Sequence, residues 1–136
     1  MIEIFKAENP KIIPFIVDKF SEFDNLDQHA ATEHLLLKLA TDPDTTGIFV
    51  LFQDEELKAF IFGWLNTIDK IAWIQQAWAD PDIPNLYKNE LFERFGEWGL
   101  SLGATHIQAQ TERTNVKAWT KLYGLTEQAV ILQKEL

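Results

Sequence analysis

The sequence predicts a mixed α/β (α+β) fold in one domain spanning residues 1–136, and three observations carry that prediction. Apolar residues recur at helical spacing in some stretches and at alternate positions in others, and the two patterns interleave along the chain. Between residues 48 and 78, three runs rich in Ile, Phe and Trp follow one another across short polar turns, which suits an antiparallel meander. No linker, repeat or low-complexity tract divides the 136 residues, a length that suits a single core.

From the N-terminus, Ile2–Glu8 begins with apolar and polar residues in alternation and predicts a short strand. Asn9-Pro10 offers a cap followed by a proline at a first helical position, and Ile12, Ile13, Ile16, Val17, Phe20 and Phe23 form one helical stripe. Asp27 can cap a second helix over residues 28–40, with Ala31, Leu35 and Leu39 four apart, and Asp42-Pro43-Asp44 stops it. The strands Ile48–Gln53, Leu57–Leu65 and Lys70–Trp78 are joined by Asp54-Glu55-Glu56 and Asn66-Thr67-Ile68-Asp69, and Asp80-Pro81-Asp82-Ile83-Pro84 ends the meander. Tyr87, Leu91, Phe95, Trp98 and Leu102 then predict an apolar helix face that stops at Gly103. Thr105–Thr111 predicts a strand. Thr114 or Asn115 caps a short helix carrying Val116, Trp119 and Leu122 that Gly124 terminates, and Leu125–Leu136 predicts a last strand. The element order is βααβββαβαβ.

Composition narrows the function. Twelve Lys+Arg against 21 Asp+Glu leave a net charge of −9, which argues against nucleic acid and anionic membrane as partners and is weakly suited to a cationic partner or amine substrate. Without cysteine there is no disulfide, thiolate zinc site or cysteine nucleophile. His29 and His34 lie about 140° apart around a helix, and no metal site is expected from the three histidines. No apolar run reaches the roughly 18–20 residues of a membrane-spanning helix, and Met1-Ile2-Glu3-Ile4-Phe5-Lys6 lacks the pattern of a secretory signal, so a cytoplasmic location is expected.

The element order and the tail together resemble the GNAT superfamily of acyl-CoA-dependent N-acetyltransferases. Residues 97–107, Glu-Trp-Gly-Leu-Ser-Leu-Gly-Ala-Thr-His-Ile, look like the family's long helix running through a glycine into its fifth strand. Asn115-Val116-Lys117-Ala118 followed by Leu122-Tyr123-Gly124-Leu125 is similar to its Asn-x-x-Ala … Gly-Phe segment, and residues 128–136 are similar to its closing strand. The layout matches over the whole chain and the motifs over about residues 90–136. The resemblance implies a GNAT-like fold with a mixed, mostly antiparallel sheet flanked by helices. It also implies acetyl-CoA as cosubstrate, no metal, and a small-molecule or protein amine as acceptor, and it leaves a homodimer open.

The family grips the CoA pyrophosphate with a Gln/Arg-x-x-Gly-x-Gly/Ala loop. The matching positions here are Ile83, Leu86 and Lys88, so both glycines and the leading polar residue are absent. Glycines let backbone N–H groups converge on phosphate oxygens, whereas Leu86 and Lys88 carry side chains there and Pro84 lacks a donor. Two effects stand against that loss: the unpaired N–H groups and positive dipole end of the helix, and the charge of Lys88. Arg94, Arg113, Lys117 and Lys121 add further cations in the same half of the chain. The resemblance thus points to Trp78, Ala79, Leu86, Tyr87, Lys88 and Asn89 as the CoA-binding segment, with Asn115 on the cofactor arm.

In the family's usual mechanism a carboxylate or water chain deprotonates the amine, a backbone N–H of the fourth strand polarises the carbonyl and a tyrosine protonates the thiolate. The fourth strand here has no acid, which makes Glu112, just past the fifth strand, the candidate base. Tyr123 is the candidate acid, one position from Leu122, where the family tyrosine falls when counted from Asn115; the alternative for Tyr123 is a packing role. Trp64, Trp73 and Trp78 either line an acceptor pocket or belong to the core. The departures leave a second reading open, a catalytically degenerate GNAT-like binding or structural module.

Overall fold

The aromatic and β-branched runs pair in the order in which they are written. A computed structural model describes residues 1–20, 37–39 and 41–109. Its strands β1 (Ile2–Lys6), β2 (Thr46–Gln53), β3 (Glu56–Asn66), β4 (Ile71–Ala79) and β5 (His106–Ala109) form one sheet in chain order. β1 to β4 are antiparallel neighbours, while β5 runs parallel to β4 from Ile71↔His106 to Ile74↔Ala109. This is the mixed, mostly antiparallel sheet that the resemblance implies, with the predicted meander at its centre.

Among the described residues, α1 (Ile13–Phe20), entered through a 3₁₀ turn at Pro10–Ile12, and α2 (Asn85–Ser101) flank it. Asn9 caps the entry as expected, its Oδ1 accepting the Lys11 N–H at 3.0 Å. Of the helix expected over residues 28–40, residues 37–39 are helical. The remainder of it, the helix after Asn115 and the strand Leu125–Leu136 lie outside the described residues. Among the described residues no helix is long and apolar enough to cross a membrane.

Each face of the sheet buries its own layer. Ile12, Ile16, Leu39, Ile48, Val50, Leu57, Phe60 and Phe62 form the core on the α1 face. Phe49, Leu51, Ala59, Ile61, Ile74, Leu91 and Phe95 form the core on the α2 face. Burial on both sides explains why β2 and the middle of β3 are continuously apolar instead of alternating. Each such Phe, Leu or Ile contributes about 1.5–3 kcal/mol by leaving water.

α2 ends as its glycine predicts. Gly103 takes φ +96°, its N–H donates to Leu100 O at 3.0 Å, and the Ala104 N–H reaches back to Gly99 O at 2.9 Å. This 6→1 and 5→2 pair closes the helix and turns the chain into β5. Leu102 departs from the expected stripe: it is the C-cap, already out of helical geometry, and it is 45% exposed. Gly99 is buried in its place, so close to Ala72 that a Cβ would stand 2.9 Å from that side chain.

One irregularity reorganises β4. Phe62 pairs with Gln76 and Gly63 with Ile74, so Gln75 is an extra residue in the ladder. The bulge presses the Trp73 carbonyl onto Gly63, where any Cβ would collide with it. It also reverses the alternation: Ala72 and Ile74 join the α2-side core, and beyond the bulge Ala77 and Ala79 do so. Trp78, of even number like Ala72, therefore turns to the α1 face.

Candidate functional site

The segment from the end of β4 to the first turn of α2 is held by one carboxylate. Asp80 Oδ1 accepts the Asp82 N–H at 2.9 Å, its carbonyl accepts the Ile83 N–H at 3.0 Å, and its own N–H donates to Lys58 O at 2.8 Å. Lys58 Nζ stands 3.6 Å from Asp80 Oδ2 and 3.4 Å from Glu56 Oε2. The Asp82 N–H, against partial burial and with help from Lys58 and Lys19, holds the Asp80 carboxyl below the ordinary carboxylate range. Burial alone pulls Lys58 down, but Glu56 and Asp80 outweigh it and raise it above the ordinary lysine value. The loop then buries Ile83 and delivers Pro84 as the helix N-cap.

Pro84 has no side-chain acceptor, and no side chain caps this helix. The N–H groups of Tyr87 and Lys88 donate to Pro84 O at 3.0 and 3.4 Å, leaving the earlier donors of the turn to partners outside the helix. No acid lies in the first turn, yet Lys88 does, half-buried, with no carboxylate in ion-pair range among the described residues. A cation at the positive end of a helix is unfavourable by a few tenths of a kcal/mol, and an anion bound there reverses the sign.

Of the other expected residues, Leu86, Tyr87 and Asn89 belong to this helix and Ala79 to the end of β4. Leu86 is 72% exposed and belongs to neither core. Tyr87 and Ala79 are half-buried against the α2-side core. Asn89 has a buried Oδ1 with no hydrogen-bond partner, an acceptor suited to an amide or hydroxyl donor of an incoming molecule. Trp78 lies on the opposite face of the sheet, its ring 6.0 Å from that of Phe60. Arg94 is not available to the tip: Nη1 donates to Ile4 O at 2.7 Å and Nη2 to Glu90 at 3.0 Å, fastening α2 to β1. Glu112, Asn115 and Tyr123, with Arg113, Lys117 and Lys121, lie outside the described residues.

Among the described residues, backbone donors without a partner, a lysine, an orphaned amide oxygen and no first-turn acid fit a molecule that carries a diphosphate and amide groups, as CoA does. Sequence reasoning missed the part of Lys58 and Asp80, because Asp80-Pro81-Asp82 reads only as a stop. Two surface grooves lie elsewhere, one of ≈590 Å³ beside Phe5, Phe52 and Asp54, and one of ≈420 Å³ between α2 and β5, lined by Phe92, Gly96, Leu100 and His106.

The three meander tryptophans share the α1 face. Trp64 packs against that core, Trp73 is its direct partner across the β3–β4 ladder, and the bulge brings Trp78 to the same side. Lys38 Nζ sits 4.5 Å from the Trp64 ring centroid and Lys19 Nζ 5.3 Å from that of Trp78.

No protein-family model matches the chain, and no curated protein matches it. Solved structures do. A glucosamine-6-phosphate N-acetyltransferase from Arabidopsis thaliana superposes with a TM-score of 0.71 at 14% identity, over 99% of this chain and 98% of that one. The aminoglycoside N-acetyltransferase AAC(6')-Iy, in complex with CoA, gives 0.72 at 16%, over 99% and 95%. A predicted acetyltransferase from Clostridium acetobutylicum, with acetyl-CoA, gives 0.74 at 16%, over 99% and 96%. Likeness of this extent at such identity shows a shared fold, the GNAT-like one.

Proposed function

We propose that this chain, with its GNAT-like fold, is an acetyl-CoA-dependent N-acetyltransferase that acts on a primary amine as a single domain. The observation that carries the reading is the first turn of α2: an uncapped run of backbone donors with Lys88 and no acid, at the end of a bulged β4. The full-length likeness to acetyltransferases solved with CoA or acetyl-CoA supports it.

Lys88 and the N–H groups of Asn85 and Leu86 hold the diphosphate, and the Asn89 side chain meets a polar group of the arm. By the resemblance, Asn115 would meet that arm. Acetyl-CoA, when bound, supplies the acetyl group as a thioester. Glu112 takes one proton from the ammonium, freeing the lone pair. The amide N–C bond forms as the C–S bond breaks; Tyr123 protonates the departing sulfur and is reset by the second amine proton.

Thermal unfolding with and without acetyl-CoA tests this. Ligand at ~100 times its Kd adds about 2.7 kcal/mol of stability, and the absence of any shift at millimolar acetyl-CoA overturns the proposal. The missing glycines favour a binding module instead; a ligand-induced shift without turnover of any amine would support that second reading.

A further inference from the structure

We propose that the groove beside β1 and the entry to α1 docks a protein segment that carries an apolar side chain flanked by arginines. The proposal does not rest on the transferase reading.

The groove follows from the alternation of β1. Ile2 and Ile4 pack against the α2-side core, which leaves Glu3 and Phe5 to the other face. On that face Ile12 and Ile16 share a core with Val50 and Phe60, but Phe5, on the outer strand, stays 39% exposed. Phe15 of α1 is 48% exposed. Phe52 joins the two rings: it stacks on Phe5 at 5.9 Å and 10°, and it meets Phe15 edge-on at 5.6 Å. Phe5, Phe52 and Ile12 line a groove of ≈590 Å³, a volume that holds a large side chain and its neighbours. Exposed rings in contact are an apolar patch of the kind that marks an interaction site.

The rim of the groove is acidic. Glu3, Asp54 and Glu55 line it as well. The Met1 ammonium stands 2.8 Å from Asp54 Oδ1, whereas neither Glu3 nor Glu55 has an ion-pair partner among the described residues. Asp54 and Glu55 take φ +52° and +68°, the left-handed pair of a tight hairpin turn, so the turn fixes both carboxylates beside Phe52. All residues that line the groove are described. Lys19 and Lys38, close in sequence to positions 21–36, stand over Trp78 of β4 and Trp64 of β3, not over β1.

These features choose the occupant. A second copy of the chain would bring the same acidic rim and another net charge of −9 against this one, so a basic partner is favoured. Strand addition along β1 is obstructed, because Arg94 Nη1 already donates to Ile4 O at 2.7 Å. An apolar side chain fits among the rings. Arginine suits the rim better than lysine: its planar fork pairs with carboxylates and lies flat on an aromatic face.

The test titrates the isotope-labelled full chain, without acetyl-CoA, with the blocked peptide Gly-Arg-Phe-Arg-Gly and follows the amide signals by NMR. Gly-Arg-Ser-Arg-Gly and Gly-Glu-Phe-Glu-Gly serve as controls. The expected result is a saturable shift confined to β1, the start of α1 and residues 52–55 with the first peptide, and binding roughly tenfold weaker or less with either control. Phe5→Thr, and Glu3→Gln combined with Glu55→Gln, each weaken the first peptide roughly tenfold. Equal binding of a control, shifts centred elsewhere, or no response at millimolar peptide overturns the proposal. The same signals moving when the chain alone is concentrated would make a second copy the occupant and overturn it too. Should a variant fail to fold, the three peptides on the unaltered chain decide.

Discussion

Lys88 stands where a helix's own field opposes it, and a ligand of opposite charge is the simplest compensation. Replacing it by glutamate sets a negative charge against the diphosphate and removes a charge-assisted hydrogen bond. Acetyl-CoA binding is expected to weaken about 10–100-fold by calorimetry, with the melting temperature of the free protein nearly unchanged, since Lys88 has no carboxylate partner among the described residues. Gly63 is the opposite kind of residue, tied to packing alone. Its α-carbon faces the Trp73 carbonyl so closely that Gly63→Ala must push the bulge apart, and a loss of about 3 kcal/mol or more in chemical denaturation is expected. A stability within about 0.5 kcal/mol of the parent would show that the bulge does not press on this glycine.

Between residue and fold lie the devices that start and stop elements. A methyl group added to Gly103 would meet nothing within 4 Å, so Gly103→Ala costs only the strain of φ +96°, about 1 kcal/mol by denaturant titration. The loop before α2 depends on charge instead. The folded state lowers the pKa of Asp80, so its ionised carboxylate contributes stability above the unfolded value near 3.9, and that contribution is lost as pH falls through the folded value. Asp80→Asn is therefore less stable than the parent at pH 7, and the gap closes below about pH 4. A gap that is constant from about pH 7 to pH 3 would mean that the charge has no part in holding the loop. Because the same loop aims the donors of α2, the variant is also expected to raise the KM for acetyl-CoA while leaving kcat nearly untouched.

At the scale of the whole molecule, the five strands of the described residues form one sheet whose two faces carry different layers. α2, with the proposed anion site at its tip, belongs to one face; Trp64 and Trp78 with their lysines belong to the other. The strand that joins them is β4, and its bulge decides which side chains go to which face.

Much of this can be read from the chain alone. The Asn9 cap, the Gly103 stop and the three-strand meander are local, set by φ preferences and side-chain periods within a few residues, and each stands as expected. The glycine-free start of α2 is equally plain in the order of residues, as is the chemistry that Lys88 offers there. Which described segments become strands and helices, and the charge of the whole, follow from neighbours along the chain, so the order of residues suffices to state them. Other outcomes arise only when distant segments meet. Trp78 turns away from Ala79's core, Lys19 and Lys38 cover two of the three indoles, Arg94 is spent on Ile4, and Leu102 stays in water. These depend on one extra residue in a ladder and on contacts between residues tens of positions apart, and no period in the chain encodes either.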